Sequence, residues 1–236
     1  MRIFDSNEYI NEKLNIHPVT KDMLSKMKKE PSVDEETRLF VKDNNLIWNP
    51  KTMSYDCDGD VKVSKNIITG GKLKIRFGKV SGSFDCYNNK LTSLEGAPQK
   101  VGGFFDCYRN ELTTLKGAPQ EVGGGFDCSR NKLTSLEGVP KKVGGNFACY
   151  KNELTTLKGA PQEVDGDFDC SFNNLTNLEG APQKINGNFD CSGNNLTTLE
   201  SAPQEVGKDF RCILNPNLVL PKDKPSWVKG KYITAL

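Results

Sequence analysis

Residues 84–104 read FDCYNNKLTSLEGAPQKVGGF, and residues 105–125 repeat the pattern as FDCYRNELTTLKGAPQEVGGG. The same 21-residue unit continues to Cys212, with phenylalanine at its first position and cysteine at its third. A fixed period of this length is typical of repeat architectures, in which each unit forms one coil and neighbouring coils share a continuous core. The sequence therefore predicts a solenoid.

The first half of the unit predicts a strand and a turn. Phe84 and Cys86 flank a polar residue, which is the alternation of a short strand with one buried face. Asn89 follows where the strand ends, and its amide is expected to bond backbone groups that the turn leaves unpaired. The strands of successive coils would lie parallel on the concave face of the solenoid.

The second half of the unit predicts a return segment without a helix. Leu91 and Leu94 are expected to fill the core beneath the turn. Gly-Ala-Pro at residues 96–98 disfavours a helix and favours an extended, polyproline-like path. Val101 would then close the coil, which leaves the return segments irregular.

The pattern Phe-x-Cys-x-x-Asn-x-Leu resembles the Leu-x-Leu-x-x-Asn-x-Leu core of leucine-rich repeats. The 21-residue length and the return proline resemble the short bacterial class of these repeats, although Phe and Cys replace the usual leucines. Phe-Asp-Cys-Ser and Leu-Thr-Ser-Leu-Glu-Gly-Ala-Pro are similar to segments of leucine-rich-repeat proteins from tailed, T-even-like bacteriophages. The resemblance covers roughly residues 80–215. It implies a leucine-rich-repeat-like solenoid and, in general terms, a binding role.

The chain divides into four predicted regions. These are an N-terminal helical arm over 1–50, an irregular first coil over 51–83, the repeat solenoid over 84–212 and a C-terminal cap over 213–236. In the cap, Leu218, Val219, Leu220 and Trp227 are expected to cover the last open edge of the sheet.

Within the two N-terminal regions, helices are predicted over 8–14, 21–29 and 33–42. Ser32 is the expected N-cap of the third helix, with Glu35 completing a capping box. In the irregular coil, strands are expected near 61–63 and 73–77, and Tyr55-Asp56-Cys57 echoes the Phe-Asp-Cys of the repeats.

The eight cysteines are predicted to be free and buried. Seven of them recur every 21 residues, as expected for a column of small core side chains. A metal or redox column is the alternative, but no histidine accompanies these cysteines and no Cys-x-x-Cys occurs. The N-terminus lacks the apolar stretch of a secretory signal, so we expect a cytoplasmic protein.

Composition and motifs argue against several function classes. The net charge of +2, from 32 basic and 30 acidic residues, gives no general attraction to nucleic acid. No apolar run approaches the roughly 20 residues of a membrane-spanning helix. His17 is the only histidine and lies outside the repeats, and the repeat glycines are not followed by the Gly-Lys-Ser/Thr of a phosphate loop. We therefore expect neither a catalytic residue nor a cofactor.

Charges on the turn and return segments alternate from coil to coil. One such column runs through Lys100, Glu121, Lys142, Glu163, Lys184 and Glu205. Similar columns begin at Lys90 and Glu95. Alternation avoids repulsion between like charges about 5 Å apart and is expected to fix the stacking order.

The column after each phenylalanine does not alternate in this way. Its members are Asp85, Asp106, Asp127, Ala148, Asp169, Asp190 and Arg211, all expected to point out from the concave face. Beside this column, the sequence places Arg109, Arg130 and Lys151, expected to form diagonal ion pairs with the aspartates, and Tyr87, Tyr108 and Tyr150. Tyrosine and arginine are typical of binding surfaces, so these aromatic, basic and acidic residues form the candidate partner-binding site. A self-paired surface and calcium binding along the aspartates are the alternatives.

The N-terminal residues carry a separate signal. Ile10-Asn11-Glu12 resembles the cleavage site of capsid-targeting peptides in T-even-like phage internal head proteins, which would place processing after Glu12. An amphipathic helix capping the first coil is the alternative.

The leading functional hypothesis is a non-enzymatic protein-binding module that acts on a host protein, such as a defence protein, or on a phage protein. The second hypothesis is a packaged or structural component of the virion interior. The third is a protein that binds or sequesters a small ligand.

Overall fold

Each 21-residue unit contributes two short strands, and these build two parallel sheets on either side of one core. The computed structural model describes residues 29–234, and this part of the chain is a parallel β-solenoid. The predicted repeat solenoid is thus confirmed.

The sheet predicted from the repeat, here the Phe sheet, contains the Phe-Asp strands. Its members are β3 (Val61–Lys62), β7 (Phe84–Asp85), β9 (Phe105–Asp106), β11 (Phe126–Asp127), β13 (Phe147–Ala148), β15 (Phe168–Asp169), β17 (Phe189–Asp190), β19 (Phe210–Arg211) and β20 (Tyr232–Ile233). Equivalent residues face each other in register, as Phe105 faces Phe126.

A second sheet, here the Val sheet, occupies part of the return segment that the sequence predicted to be irregular. Its members are β1 (Ile47–Asn49), β2 (Ser54–Cys57), β6 (Phe77–Val80), β8 (Lys100–Val101), β10 (Glu121–Val122), β12 (Lys142–Val143), β14 (Glu163–Val164), β16 (Lys184–Ile185) and β18 (Glu205–Val206). Valine points into the core and the preceding charge points outward, so these two residues form a strand with one buried face. The strands β4 (Ile68–Thr69) and β5 (Lys72–Leu73) form a separate antiparallel pair.

The core between the sheets consists of stacked, fully buried side chains. Successive rings from Phe84 to Phe210 lie with their centroids 5.1 to 5.8 Å apart. The two leucines of the repeats are also buried, except that Leu199 in the last repeat is only partly buried. All eight cysteines are buried and unpaired, which confirms the prediction from their spacing. Burial raises the pKa of the repeat thiols, well above the usual value from Cys86 to Cys191, so these thiols are neutral core groups.

The repeat asparagines join adjacent coils, as their position predicted. The Nδ2 of Asn110 donates to the carbonyl oxygens of Cys86 and Cys107, at 3.0 Å each. Its Oδ1 accepts from the backbone N–H groups of Asn89 and Leu91, at 3.0 and 2.9 Å. One buried side chain thus satisfies four backbone groups in two coils.

The helix α1 (Glu35–Asp43) covers the N-terminal end of the core, where Phe40 packs edge-on against Phe77. Its N-cap is Asp34, whose carboxylate accepts from the backbone N–H of Thr37 at 2.8 Å. The prediction of Ser32 with a Glu35 capping box is therefore wrong, because an aspartate two residues later supplies the same acceptor. The helix predicted over 8–14, and nearly all of the one over 21–29, fall outside the described residues.

The Tyr55-Asp56-Cys57 segment, which echoes Phe-Asp-Cys in sequence, is not its equivalent in the structure. It lies in the Val sheet, where Cys57 faces Val80. Val61 faces Phe84 instead, so Val61-Lys62-Val63 takes the place of Phe-Asp-Cys in this coil. Only the alternation of buried and exposed side chains is retained there.

At the C-terminal end the repeat pattern lapses in sequence but one more coil follows in space. Tyr232 faces Phe210 in the Phe sheet, Val228 bridges to Val206, and the ring of Trp227 lies 5.0 Å from that of Phe210. Val219, by contrast, is 77% exposed and covers no sheet edge. Within 29–234, no helix is long and apolar enough to cross a membrane.

Candidate partner-binding face

The outer face of the Phe sheet carries the predicted site residues. Along each strand, the residue after phenylalanine and the residue after cysteine point away from the core. This alternation places Asp85, Asp106 and Asp127 in one row, and Tyr87 and Tyr108 in the next. Ser129 and Tyr150 continue the second row.

The aspartates of this face have a structural role. One carboxylate oxygen of each accepts the backbone N–H two residues further on, from Tyr87 to Asp85 at 3.1 Å and from Tyr108 to Asp106 at 2.9 Å. Asp127, Asp169 and Asp190 accept in the same way from the serine after the cysteine. The row therefore fixes the turn at which each strand ends.

The middle of the aspartate row is partly buried. Burial raises the pKa of Asp106 to about 6, opposed by its hydrogen bond from Tyr108 and assisted by the charges of Asp127 and Asp85. Burial also raises the pKa of Asp127 and of Asp169. These three carboxyl groups are therefore partly desolvated, although they lie on the outer face of the sheet.

Ion pairs neutralise the ends of the row. Asp85 lies 3.8 Å from the ammonium of Lys62, and Asp190 lies 3.8 Å from the guanidinium of Arg211. Among the described residues, Asp106, Asp127 and Asp169 have no ion-pair partner. The row thus keeps unpaired carboxyl groups in its interior.

The basic residues of the site lie in a column at the corner of the solenoid. This corner column consists of the residue two positions after each repeat cysteine, namely Asn88, Arg109, Arg130, Lys151, Phe172, Gly193 and Leu214. All seven have a positive φ, between 52° and 65°. They occupy the left-handed turn that follows each strand, and all but Gly193 are exposed.

The predicted diagonal ion pairs between these cations and the aspartates do not form. Instead, the guanidinium of Arg130 lies over the ring of Tyr108, 5.9 Å from its centroid, and Lys151 lies over Phe172 at 5.5 Å. A cation over an aromatic face is held by the negative face of the ring, so no carboxylate is needed to fix it. Three successive cations, Arg109, Arg130 and Lys151, are left without an ion-pair partner in the part of the chain that the structure covers.

The structure brings Tyr108, Arg130 and Tyr150 together. The rings of the two tyrosines lie 6.3 Å apart, and the small Ser129 stands in the coil between them. Burial raises the pKa of Tyr150, and a hydrogen bond with Tyr108 raises it further, while one with Arg130 lowers it. Tyr87 stands apart from this cluster, under the ammonium of Lys62 at 5.2 Å.

Two apolar residues extend this surface and were missed in the sequence. Phe172 is 48% exposed and Leu214 is 52% exposed, both at left-handed positions that disfavour large side chains. Phe172 lies against Gly193, where an added Cβ would come within 2.7 Å of its ring. The available signal was an aromatic residue at a repeat position that carries arginine or lysine in the three preceding coils.

Residues 29–234 contain no group of three or more histidine, cysteine or acidic side chains arranged to hold a metal ion. The Glu12 cleavage site lies outside the described residues. No known protein family, curated protein or solved structure matches this chain.

Proposed function

We propose that this chain is a non-enzymatic protein-binding module that contacts its partner through the outer face of the Phe sheet and the corner column. The observation that carries the proposal is a row of three cations in successive coils, Arg109, Arg130 and Lys151, that have no ion-pair partner among the described residues. The charged columns of the turn and return segments alternate in sign over most of their length, and several of their members form ion pairs, as Lys142 and Glu163 do at 3.1 Å. Like charges in adjacent coils repel each other and lower the stability of the fold. Binding of a partner therefore explains these cations better than a role in the fold does.

The neighbouring side chains support a protein as the partner. Tyr108 and Tyr150 present rigid rings beside Arg130, and tyrosine and arginine dominate the energetics of protein interfaces. Phe172 and Leu214 continue the surface with exposed apolar area. We infer a partner with acidic residues opposite the cations and an apolar side chain opposite Phe172. The resemblance to bacteriophage proteins favours a host protein, such as a defence protein, or a phage protein, met in the cytoplasm.

Charge reversal tests this proposal. The double variant Arg109→Glu, Lys151→Glu is compared with the wild type in affinity capture from bacterial lysate, followed by a direct binding measurement with the captured protein. The control is Lys141→Glu, Lys208→Glu, which makes the same change in charge. Lys141 is exposed between Gln120 and Gln162, and Lys208 is exposed next to Gly187 in the preceding coil.

We expect the first variant to weaken binding about tenfold or more, and the control to bind like the wild type. Equal binding by all three proteins would place the interface elsewhere. Equal loss in both variants would show that net charge, and not this face, controls binding.

A further inference from the structure

A groove of about 630 Å³ lies on the outer side of the Val sheet, where β2, β6 and β8 meet. It is lined by Ser54 and Asp56 of β2, by Arg76 and Lys79 at β6, and by Lys100 of β8. Phe77, Ala97 and the backbone of three glycines also line the groove. This groove is on the opposite sheet from the partner-binding face, so it does not depend on the proposed function.

The backbone departs from the repeat at this groove. The pairing of β2 with β6 shifts register between Tyr55 and Cys57, as at a β-bulge. Bulges are frequent beside functional sites because they redirect side chains. Gly78 occupies the position that carries Gln99 in the next coil. A Cβ on Gly78 would lie 2.2 Å from an Asp56 carboxylate oxygen, so a larger residue here would displace that side chain.

The charge pattern departs from the repeat at the same place. Lys79 faces Lys100 directly across the two strands, whereas Lys100 faces Glu121 on its other side. Like charges directly opposite each other destabilise a sheet. The alternation that holds along the rest of this column therefore fails beside the groove.

Two of the three cations lack a counter-charge. Lys100 is paired with Glu121, but Arg76 and Lys79 form no ion pair among residues 29–234. Two carboxylates also line the groove, and both are already engaged. Asp56 accepts from the backbone N–H of Lys79 and from the Nδ2 of Asn49, at 2.7 Å each. Glu95 is paired with Lys72 at 3.1 Å.

We propose that this groove binds a small organic anion with one phosphate or carboxylate group on an apolar body. The anionic group would lie beside Arg76 and Lys79, two exposed cations that line the groove and have no ion-pair partner among the described residues. Arginine and lysine are the side chains that bind phosphate and carboxylate groups in proteins. The apolar body would lie along the floor formed by the glycines and by the backbone of Phe77 and Ala97, whose side chains are buried in the core. A bound anion would also relieve the repulsion between Lys79 and Lys100.

Calorimetric titration of the full chain with phenyl phosphate tests the proposal, with inorganic phosphate and phenol as the two partial ligands. We expect saturable binding of phenyl phosphate, and weaker binding of each partial ligand. The variant Arg76→Gln, Lys79→Gln should weaken binding about tenfold or more, since it removes both charged contacts to the anion. The matched control Lys141→Gln, Lys208→Gln should bind like the wild type.

Thermal unfolding of each variant shows whether it is folded, and the single variant Lys79→Glu gives a second test that leaves Arg76 in place. The proposal is overturned if phenyl phosphate shows no saturable binding at millimolar concentration, or if the control loses as much affinity as the groove variant. Equal affinity for inorganic phosphate would refute the apolar part of the site, and equal affinity for phenol would refute the anionic part.

Discussion

Tyr108 and Tyr150 belong to coils that are not adjacent, yet their rings lie 6.3 Å apart. The coil between them carries Ser129, whose side chain is too small to separate the rings. This contact breaks the rule that each side chain of a solenoid meets its equivalent in the next coil. The side chains of Tyr108, Ser129 and Tyr150 thus form a local cluster on a regular backbone.

The tyrosine contact gives a prediction that needs no partner. Replacing Tyr108 by alanine exposes Tyr150 and removes their hydrogen bond, and both burial and that bond raise the pKa of Tyr150. We expect the pKa of Tyr150 to fall towards its usual value of about 10 in the variant. Ultraviolet absorbance titration measures this change. Replacing Tyr87, which stands apart from the cluster, should leave the titration of Tyr150 unchanged, and an equal effect of both substitutions would refute the cluster.

The partly buried Asp106 predicts a dependence of stability on pH. Its folded pKa, about 6, is raised above the unfolded value, so the folded state binds more protons between the two values. The free energy of unfolding should therefore fall as pH rises from about 4 to about 6, by about 1 kcal/mol after discounting for solvent screening. Asp106→Asn keeps the acceptor for Tyr108 and should reduce this fall, leaving the contributions of Asp127 and Asp169. Urea unfolding across this range checks the prediction, and an unchanged pH dependence in the variant would contradict it.

Charge alternation predicts the effect of reversing one member of a column. Glu163 lies 3.1 Å from Lys142 and faces Lys184 in the next coil. Glu163→Lys would place lysines at the same position of three successive coils. It should lower the free energy of unfolding by about 0.5–1 kcal/mol at low salt. High salt should reduce the loss because these side chains are exposed. If urea unfolding shows no loss at low salt, the columns do not contribute to stacking.

The asparagine ladder predicts a larger loss. The Nδ2 of Asn131 donates to the carbonyl oxygens of Cys107 and Cys128, at 3.0 and 3.1 Å, and its Oδ1 accepts from the N–H of Leu112 at 3.0 Å. Asn131→Ala leaves these buried groups without that partner and should cost about 2–4 kcal/mol in urea unfolding. The exposed Asn174 is the control, and its replacement by alanine should change stability by less than about 0.5 kcal/mol. Similar losses at both positions would refute the role of the ladder.

The repeat itself predicted the solenoid, the Phe sheet, the buried cysteines and the asparagine bonds, because each follows from one residue type at one fixed position. The Val sheet could not be predicted with equal ease, since each of its repeat strands has a single buried residue, whereas Phe and Cys mark an alternation on either side of the residue between them. The sequence of the Tyr55 segment resembles the repeat, but its strand belongs to the Val sheet. The pairing of Val61 with Phe84 follows from burial and not from residue identity, so the sequence alone did not predict it.

The candidate site was predictable in composition but not in its contacts. Position in the repeat placed Arg109, Arg130 and Lys151 beside the aspartates, and simple distance favoured ion pairs. Position in the repeat does not predict the left-handed backbone at these residues, which have a φ between 52° and 54°. Phe172 was missed because an aromatic residue in a repeat protein is readily assigned to the core.

Three charged columns change sign at every coil between residues 84 and 167, so that the charges of this part of the chain repeat every two coils. Removing residues 126–146, a single coil, would set Glu111 against Glu153, Lys116 against Lys158 and Glu121 against Glu163. Removing residues 105–146, two coils, would instead bring Lys90 to Glu153, Glu95 to Lys158 and Lys100 to Glu163, all of opposite sign. The backbone repeats every 21 residues, but the smallest segment that can be gained or lost without a charge conflict is 42, the length of two coils. A solenoid of this kind is therefore expected to lengthen and shorten in even steps.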